Sequence, residues 1–223
     1  MFSSGAIVDV REASKIYEGG VVALDSVTLS VAPGDFVALL GPSGCGKSTL
    51  LNLFGAIDLP TSGSVRIAGK TTSDLSDDEL TLLRRDKVGT IFQFFNLVPT
   101  LTIWENVALP LLLQGCPRNE LRERVASAID RVALNGRASA YPAQASGGEL
   151  QRAAIARAVI HVPALVLADE PTGNLDSQNG ENVLRLLREI ADAGQTIVMA
   201  THSTEAAGYA DRAVRMRDGK IVT

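Results

Sequence analysis

Hydrophobic residues in the first third of the chain mostly alternate with polar ones. Val27, Leu29 and Val31 are separated by threonine and serine, and a continuous apolar run follows at residues 36–40. Alternation predicts strands with one buried face, and a short apolar run predicts a strand that is buried on both faces. A further short strand is expected at residues 65–67.

From residue 76 onward the period changes to that of amphipathic helices. In three places a serine or threonine precedes a glutamate by three residues, a pattern in which the two side chains satisfy free amides at a helix start. These pairs are Ser76 with Glu79, Thr102 with Glu105, and Ser146 with Glu149. The periodicity predicts helices over residues 77–85, 103–113, 118–134, 147–160 and 178–193.

Two apolar runs accompany the last of these helices. Residues 164–168 and 196–200 contain no charge, which is typical of parallel strands buried on both faces. Asp218-Gly219 suits a two-residue turn in a hairpin over residues 215–222. The order is therefore strands, a mainly helical block at residues 96–161, and strands alternating with helices, which predicts an α/β core with a helical insertion.

Composition narrows the classes of protein. Hydrophobic residues make up 46% of the chain and the net charge is −4, so we expect a globular protein without affinity for nucleic acid. No stretch reaches the roughly 20 apolar residues of a membrane span, and the start of the chain lacks the pattern of a signal peptide. Its two cysteines have no metal or disulfide spacing, so we expect a cytosolic location.

Aromatic residues are concentrated in one uncharged stretch. Four of the ten lie between residues 88 and 104. Ile91, Phe92 and Trp104 are expected to pack in the core. The apolar residues that follow Gln93 are expected to form a partly exposed groove in a loop, and they are Phe94, Phe95, Leu97 and Val98.

Residues 41–49 form a glycine-rich loop between a predicted strand and a helix that covers residues 49–54. Their spacing is that of the phosphate loop, GxxxxGK[ST], in which main-chain amides surround a triphosphate. Lys47 supplies positive charge to the phosphates, and the Ser48 hydroxyl is suited to bind Mg²⁺. The candidate ligands are Gly41, Pro42, Ser43, Gly44, Cys45, Gly46, Lys47, Ser48 and Thr49.

Two carboxylates end the predicted strand at residues 164–168. The carboxyl edge of an α/β sheet is where ligands bind, so Asp169 is suited to hold Mg²⁺ and Glu170 to orient a water molecule. A solvated acidic turn before Pro171 is the alternative. The phosphate loop favours the functional interpretation.

A second glycine-rich segment, Ser146-Gly-Gly-Glu149, opens a predicted helix. Two glycines cost about 1 kcal/mol each within a helix, which indicates that something approaches the main chain closely. A second phosphate site is the natural candidate. Because one nucleotide does not need two such loops, this segment is suited to serve a neighbouring chain.

Four further residues have open interpretations. His202 follows a predicted strand and is placed to reach a γ-phosphate, whereas His161, before Pro163, is expected to be structural. Gln93 interrupts an apolar strand, either as a core amide or as a group directed at a metal or water. Tyr17 either packs on the sheet or stacks on a base.

Together these residues resemble the ATP-binding cassette of ABC transporters over nearly the whole chain. Seven motifs stand in the family's order. They are Tyr17, the phosphate loop, the Q-loop residue Gln93, the signature Ser146–Gln151, the Walker B strand with its carboxylates Asp169 and Glu170, the D-loop Asn174–Asp176 and the switch histidine His202. Ala145 stands where the family's signature usually has leucine. The segments at residues 92–106 and 169–177 are similar to the subgroup of lipoprotein-release, macrolide-export and cell-division ATPases.

The resemblance implies a P-loop NTPase fold of the ABC ATPase class, in which all 223 residues form a single domain. Residues 1–95 and 162–223 are expected to form the nucleotide-binding core with an antiparallel β subdomain. Residues 96–161 are expected to form an α-helical subdomain that carries the signature.

The resemblance also implies how the residues act. Two copies of the chain would face head to tail as a homodimer and enclose two ATP molecules with Mg²⁺. The expected catalytic residues are Glu170, His202, Gln93 and Lys47, and the expected metal ligands are Ser48, Gln93 and Asp169. Each ATP would also contact the second chain, through Ser146, Gly147, Gly148, Glu149 and Asp176.

The implied partner is an integral membrane permease subunit at the cytoplasmic face of the inner membrane. The implied activity is ATP hydrolysis that drives export or extraction of a lipoprotein, peptide or drug. The alternative within the family is a cell-division ATPase that transmits force across the membrane without transport. A soluble ABC protein acting on DNA or translation is disfavoured by the absence of a basic surplus, and a nucleotide kinase leaves the signature and His202 unexplained.

Overall fold

The computed structural model describes residues 5–222. Its ten strands are β1 (Val8–Tyr17), β2 (Val21–Val31), β3 (Phe36–Leu40), β4 (Ser62–Ile67), β5 (Lys70–Thr71), β6 (Val88–Ile91), β7 (Leu165–Asp169), β8 (Ile197–Thr201), β9 (Arg212–Arg217) and β10 (Lys220–Val222). Its α-helices are α1 (Lys47–Phe54), α2 (Asp77–Lys87), α3 (Ile103–Leu113), α4 (Arg118–Arg131), α5 (Gly147–Val159), α6 (Ser177–Asp192) and α7 (Thr204–Ala207).

The N-terminal strands form a four-stranded antiparallel sheet in the order β2-β1-β4-β5. Val8 and Val10 of β1 are fully buried and face Val31 and Leu29 across the pair with β2. The alternation of apolar and polar residues in the sequence thus corresponds to one buried face, as predicted. This face packs on α1 and on one side of the second sheet, in a shared hydrophobic core.

The second sheet has six strands in the order β10-β9-β3-β8-β7-β6. All of these strands run parallel except β10, which forms an antiparallel hairpin with β9. The residues of β8 are all buried, because helices cover one face of the sheet and α1 with the antiparallel sheet covers the other. Parallel direction brings the carboxyl ends of β3, β7 and β8 to one edge.

Helices α3, α4 and α5 enclose a third, separate hydrophobic core. Trp104 and Ala145 are partly buried against it, so the alanine at the usual leucine position of the signature is accommodated in this core. All three predicted capping pairs are confirmed. The side chains of Ser76, Thr102 and Ser146 each accept a hydrogen bond from the glutamate amide, and the glutamate carboxylate accepts one from the main-chain amide of the serine or threonine. In the described part of the chain, no helix is long and apolar enough to cross a membrane.

Helix boundaries agree with the sequence patterns to within two residues except at the end of α4. The sequence predicted a helix to residue 134, but α4 ends at Arg131. Ala133 adopts a left-handed conformation with φ of 54°, and the Leu134 amide donates to the Ile129 carbonyl. This is the termination commonly made by glycine, here made by alanine, which explains why the sequence did not reveal it.

Gln93 was also placed wrongly, as an interruption of a strand. Strand β6 ends at Ile91, and Gln93 begins a loop that reaches residue 102 without regular secondary structure. The fully buried Asn106 of α3 holds the far end of this loop: its amide donates to the carbonyls of Val98, Leu101 and Thr102, and its oxygen accepts from the Val98 amide.

We therefore expect Asn106→Ala to destabilise the protein by about 1–3 kcal/mol, because it removes a fully buried side chain and leaves partly buried main-chain groups of the loop without partners. Urea unfolding monitored by circular dichroism measures the change. The control is Asn135→Ala, which removes an exposed side chain bonded only to Asp130. Equal stability of the two variants would contradict this role of Asn106.

Candidate functional site

The candidate site lies where three parallel strands end. Strand β3 ends at Leu40 and continues into the phosphate loop, β7 ends at Asp169, and β8 ends one residue before His202. Leu40 pairs with Thr201, and Asp169 with Ala200, so the register of the sheet places the three strand ends side by side. The residues that follow these strands therefore converge on one edge.

The phosphate loop leads into α1 without a side-chain cap. Gly46 is the N-cap residue, with φ of 101°, and no side chain bonds to the first-turn amides. In contrast, α2, α3, α5 and α6 are capped by Ser76, Thr102, Ser146 and Asp176. The amides at the start of α1 have no intrahelical acceptor and point along the positive end of the helix dipole, so they are suited to bind an anion.

Two of the loop glycines are required by close packing. A Cβ atom at Gly46 would lie 2.5 Å from the carbonyl oxygen of Ala23, and one at Gly41 would lie 2.3 Å from that of Met216. The loop is thus held against β2 and β9. Its shape is fixed by the surrounding strands before any ligand binds.

Lys47 points back into the loop. Its ammonium donates to the carbonyls of Gly41 at 2.8 Å and Pro42 at 3.1 Å, and lies 3.6 Å from the Oε1 atom of Glu170. The side chain is only 6% exposed. This holds a positive charge at the centre of the anion-binding loop.

Asp169 is hydrogen-bonded to the phosphate loop. Its Oδ1 atom accepts from the Ser48 hydroxyl at 3.2 Å. Burial raises the pKa of the Asp169 carboxyl above its ordinary value; the Ser48 hydroxyl and Lys47 lower it, and the neighbouring Glu170 raises it further. A buried carboxylate beside a hydroxyl is an oxygen donor set that suits Mg²⁺.

Glu170 connects two other candidate residues. One carboxylate oxygen faces Lys47, and the other lies 2.9 Å from the Nδ1 atom of His202. The main chain of Glu170 is left-handed, with φ of 46°, a conformation that persists in non-glycine residues only where the surroundings hold it. Glu170 is 18% exposed in its side chain and His202 62%, so the pair opens to solvent.

Gln93 completes a cleft of about 370 Å³ over the phosphate loop. A Cβ atom at Gly173 would lie 2.8 Å from the Gln93 side-chain nitrogen, and Asn174 donates to the Gln93 carbonyl at 2.9 Å. The sequence did not predict this contact of Asn174, because nothing in a loop sequence shows where a side-chain amide binds. The cleft is lined by Val21, Val22, Ala23, Ser43, Gly44, Gly46, Lys47, Ser48, Thr49, Gln93, Asp169 and Glu170.

Tyr17 does not line this cleft but lies at its margin. It pairs across the sheet with Val21, which does line the cleft. Its hydroxyl donates to Asp58 at 3.1 Å, and the Lys15 ammonium lies 5.1 Å from the ring centre. The sequence did not predict that Val21, Val22 and Ala23 line the cleft, because apolar residues at the start of a strand carry no chemical signal.

The signature segment is separate from the cleft within one chain. Ser146 is exposed, and its hydroxyl is held by the capping pair with Glu149, which also pairs with Arg137 at 2.8 Å. A Cβ atom at Gly148 would lie 2.4 Å from the Asn179 side chain, so this glycine has a packing reason inside the chain. The prediction that another molecule approaches the main chain closely therefore remains for Gly147, which has only ordinary van der Waals contacts within its own chain.

The D-loop residue Asp176 is exposed and caps α6. Its carboxylate accepts from the Asn179 amide at 2.8 Å and from the Asn179 side chain at 2.7 Å. Asn179 thus contacts both Asp176 of the D-loop and Gly148 of the signature segment, and it links the positions of these two segments.

Comparison with known proteins agrees with this geometry. Residues 24–173 match the model of the family described as ABC transporter. The chain belongs to this family. The cassette is 43% identical over 219 residues to an ABC transporter ATP-binding protein of Methanocaldococcus jannaschii, an alignment that covers 97% of the cassette and 98% of that protein.

Other relatives extend this picture. The cassette is 44% identical over 216 residues to the macrolide export ATP-binding/permease protein MacB of Chlorobaculum tepidum, covering 97% of the cassette but only 33% of MacB. Its fold matches the ATP-binding cassette MJ0796, solved as a post-hydrolysis dimer bound to ADP and Pi, with a TM-score of 0.88, 42% identity and 97% coverage of both chains. It also matches CbiO1 of Clostridium perfringens, part of the transporter complex cbiONQ, with a TM-score of 0.90 and 29% identity over 99% of the cassette and 88% of that chain.

The family, the P-loop NTPase fold and the assignment as an ATPase, each predicted from the motifs, are confirmed by these matches.

The raised pKa of Asp169 predicts a cost to stability. Between the ordinary pKa of aspartate and the raised value, the folded chain binds a proton that the unfolded chain releases, so stability falls as pH rises through this window and stays lower above it. We expect Asp169→Asn to raise the melting temperature of the nucleotide-free cassette at neutral pH and to remove this fall. Thermal unfolding across a pH series measures both effects. The control is Asp74→Asn, at an exposed aspartate. A lower melting temperature for Asp169→Asn than for the wild type at neutral pH would contradict this role of burial.

Proposed function

We propose that the cassette is the ATP-hydrolysing subunit of an ABC transporter complex and works as a head-to-tail pair of identical chains. One observation carries the proposal: the phosphate loop, the carboxylates of Asp169 and Glu170 and His202 converge at one edge of the sheet, while Ser146 of the signature segment is exposed and that segment does not line the cleft. The second chain supplies the signature segment that this edge of the sheet lacks.

The residues of the cleft act on the phosphates of ATP. The free amides at the start of α1 and the Lys47 ammonium bind the phosphate oxygens, and Lys47 gives up the carbonyls of Gly41 and Pro42 to do so. Ser48 and Asp169 would hold Mg²⁺ with Gln93, and the ion supplies charge neutralisation when it is bound. Tyr17, at the margin of the cleft, stacks on the base from the face opposite Lys15.

Glu170 accepts a proton from the attacking water, and its geometry suits this task. Its carboxylate is held between Lys47 and His202, so its position is fixed in the absence of substrate. His202 is largely exposed and has freedom to turn from Glu170 toward a γ-phosphate.

The second chain contributes its signature segment and D-loop. Ser146 and Gly147 are accessible at the start of α5, where the helix dipole favours an anion. Glu149 orients the Ser146 hydroxyl, and Gly148 with Asn179 sets the distance to Asp176. The set that reaches the opposite nucleotide is Ser146, Gly147, Gly148, Glu149 and Asp176.

The loop that follows Gln93 is the proposed contact with an integral membrane permease subunit. Phe94 is 72% exposed and Val98 38%, while Phe95 and Leu97 are half-buried. Exposed aromatic and branched apolar groups on a loop at the junction of two cores mark a docking surface. This surface supports a position of the cassette at the cytoplasmic face of the inner membrane, and the similarity to MacB supports export of a drug, peptide or lipoprotein.

The decisive variant is Glu170→Gln. We expect it to bind ATP, to dimerise with ATP and to lose about 10²- to 10⁴-fold in hydrolysis rate, because it keeps the shape of the side chain but lacks the base. Phosphate release and ATP-dependent size-exclusion chromatography measure both properties. The control is Glu120→Gln, at an exposed glutamate of α4, which retains full activity. Hydrolysis by Glu170→Gln at the wild-type rate would refute the role of Glu170.

A further inference from the structure

The main chain after Gln93 is held in an unfavourable conformation. Phe95 and Asn96 both adopt left-handed conformations, with φ of 63° and 49°, although neither is glycine. Each such residue costs of the order of 1 kcal/mol or more and persists only where the surroundings determine it. A specific contact must therefore maintain this turn.

That contact is made by Arg157 of α5. Its two terminal nitrogens donate to the carbonyl of Asn96 at 2.5 Å and to that of Phe95 at 2.9 Å. The fork of a guanidinium fits two adjacent carbonyls, which the single ammonium of lysine does not. Arg157 thus binds the two strained residues and no others of the loop.

Arg157 has no counter-ion among residues 5–222. No carboxylate lies within ion-pair distance, and burial lowers the pKa of its guanidinium. A half-buried cation without a carboxylate depends on the carbonyls it meets, so the turn and the arginine stabilise each other. The neighbouring Arg152 and Arg124 of the helical block instead donate to the carbonyls that end α4 and α5.

Gln93 lies at the other end of the same short segment. Its carbonyl accepts from Asn174, and its side chain lies against Gly173 at the edge of the cleft. The Phe95 amide in turn donates to the Phe92 carbonyl, which closes the turn around Gln93. The main chain at Gln93 and directly after it is therefore held, by Asn174 at the carbonyl of residue 93 and by Arg157 at the carbonyls of residues 95 and 96.

We propose that Arg157 is a positioning residue for hydrolysis: by holding the carbonyls of Phe95 and Asn96 it fixes the direction in which Gln93 enters the nucleotide cleft. Because Arg157 belongs to the helix that begins with the signature segment, Gln93 moves with that helix. The inference rests on the proposed role of Gln93 in the site.

The test compares Gln93→Ala, Arg157→Ala and the double variant in the full cassette. We expect each single variant to bind a fluorescent ATP analogue normally and to lose between about 10- and 100-fold in kcat, since misplacing a catalytic group by an ångström has effects of this size. The double variant should be no slower than Gln93→Ala, because both changes remove the same function. Arg157→Ala should also raise the Mg²⁺ concentration required for half-maximal activity, and Arg157→Lys should be intermediate.

Arg124→Ala is the matched control. It removes a half-buried guanidinium that donates to a carbonyl at the end of α5, far along the helix from the signature segment, and should change the melting temperature but not kcat. If Arg157→Ala keeps its kcat while Gln93→Ala loses it, the positioning role of Arg157 is wrong and the role of Gln93 stands. The same conclusion follows if the loss of kcat in the double variant equals the product of the two single losses. Retention of kcat by Gln93→Ala would overturn the assigned role of Gln93, and the positioning role with it.

Discussion

The parallel register of β3, β8 and β7 is the constraint on which the site depends. Leu40 lies opposite Thr201, and Asp169 opposite Ala200, so three chain segments that are distant in sequence leave the sheet at the same level. Each of these segments is followed in the chain by a different functional element. A shift of one residue in any pair would turn its side chains to the other face and separate the phosphate loop from its carboxylates.

The side chains at this edge form a network of mutual contacts. Lys47 faces Glu170, Glu170 faces His202, and Ser48 bonds to Asp169. The contact with Glu170 pairs the buried charge of Lys47, which avoids the large cost of isolating it. Binding of a phosphate would exchange these contacts for equivalent ones to the ligand, so the side chains need only small movements.

Much of this arrangement was predictable because its determinants are local in sequence. A glutamate three residues later predicts the helix starts at Ser76, Thr102 and Ser146. The phosphate loop is identified by the spacing of its glycines, lysine and serine. Contacts made by loops were not predictable. The binding of loop carbonyls by Asn106 and Arg157 depends on which elements the fold brings together, and alanine at position 133 ends a helix in a conformation that its side chain does not favour.

The central claim is that each nucleotide is enclosed by the phosphate loop of one chain and the signature segment of the other. Mixing Lys47→Ala with Ser146→Arg, two variants that we expect to be inactive alone, tests this arrangement. In a mixed pair, the intact phosphate loop of the second variant faces the intact signature of the first, so the account predicts that ATP hydrolysis reappears on mixing. If the mixture stays inactive although the two variants form pairs, the head-to-tail arrangement is wrong.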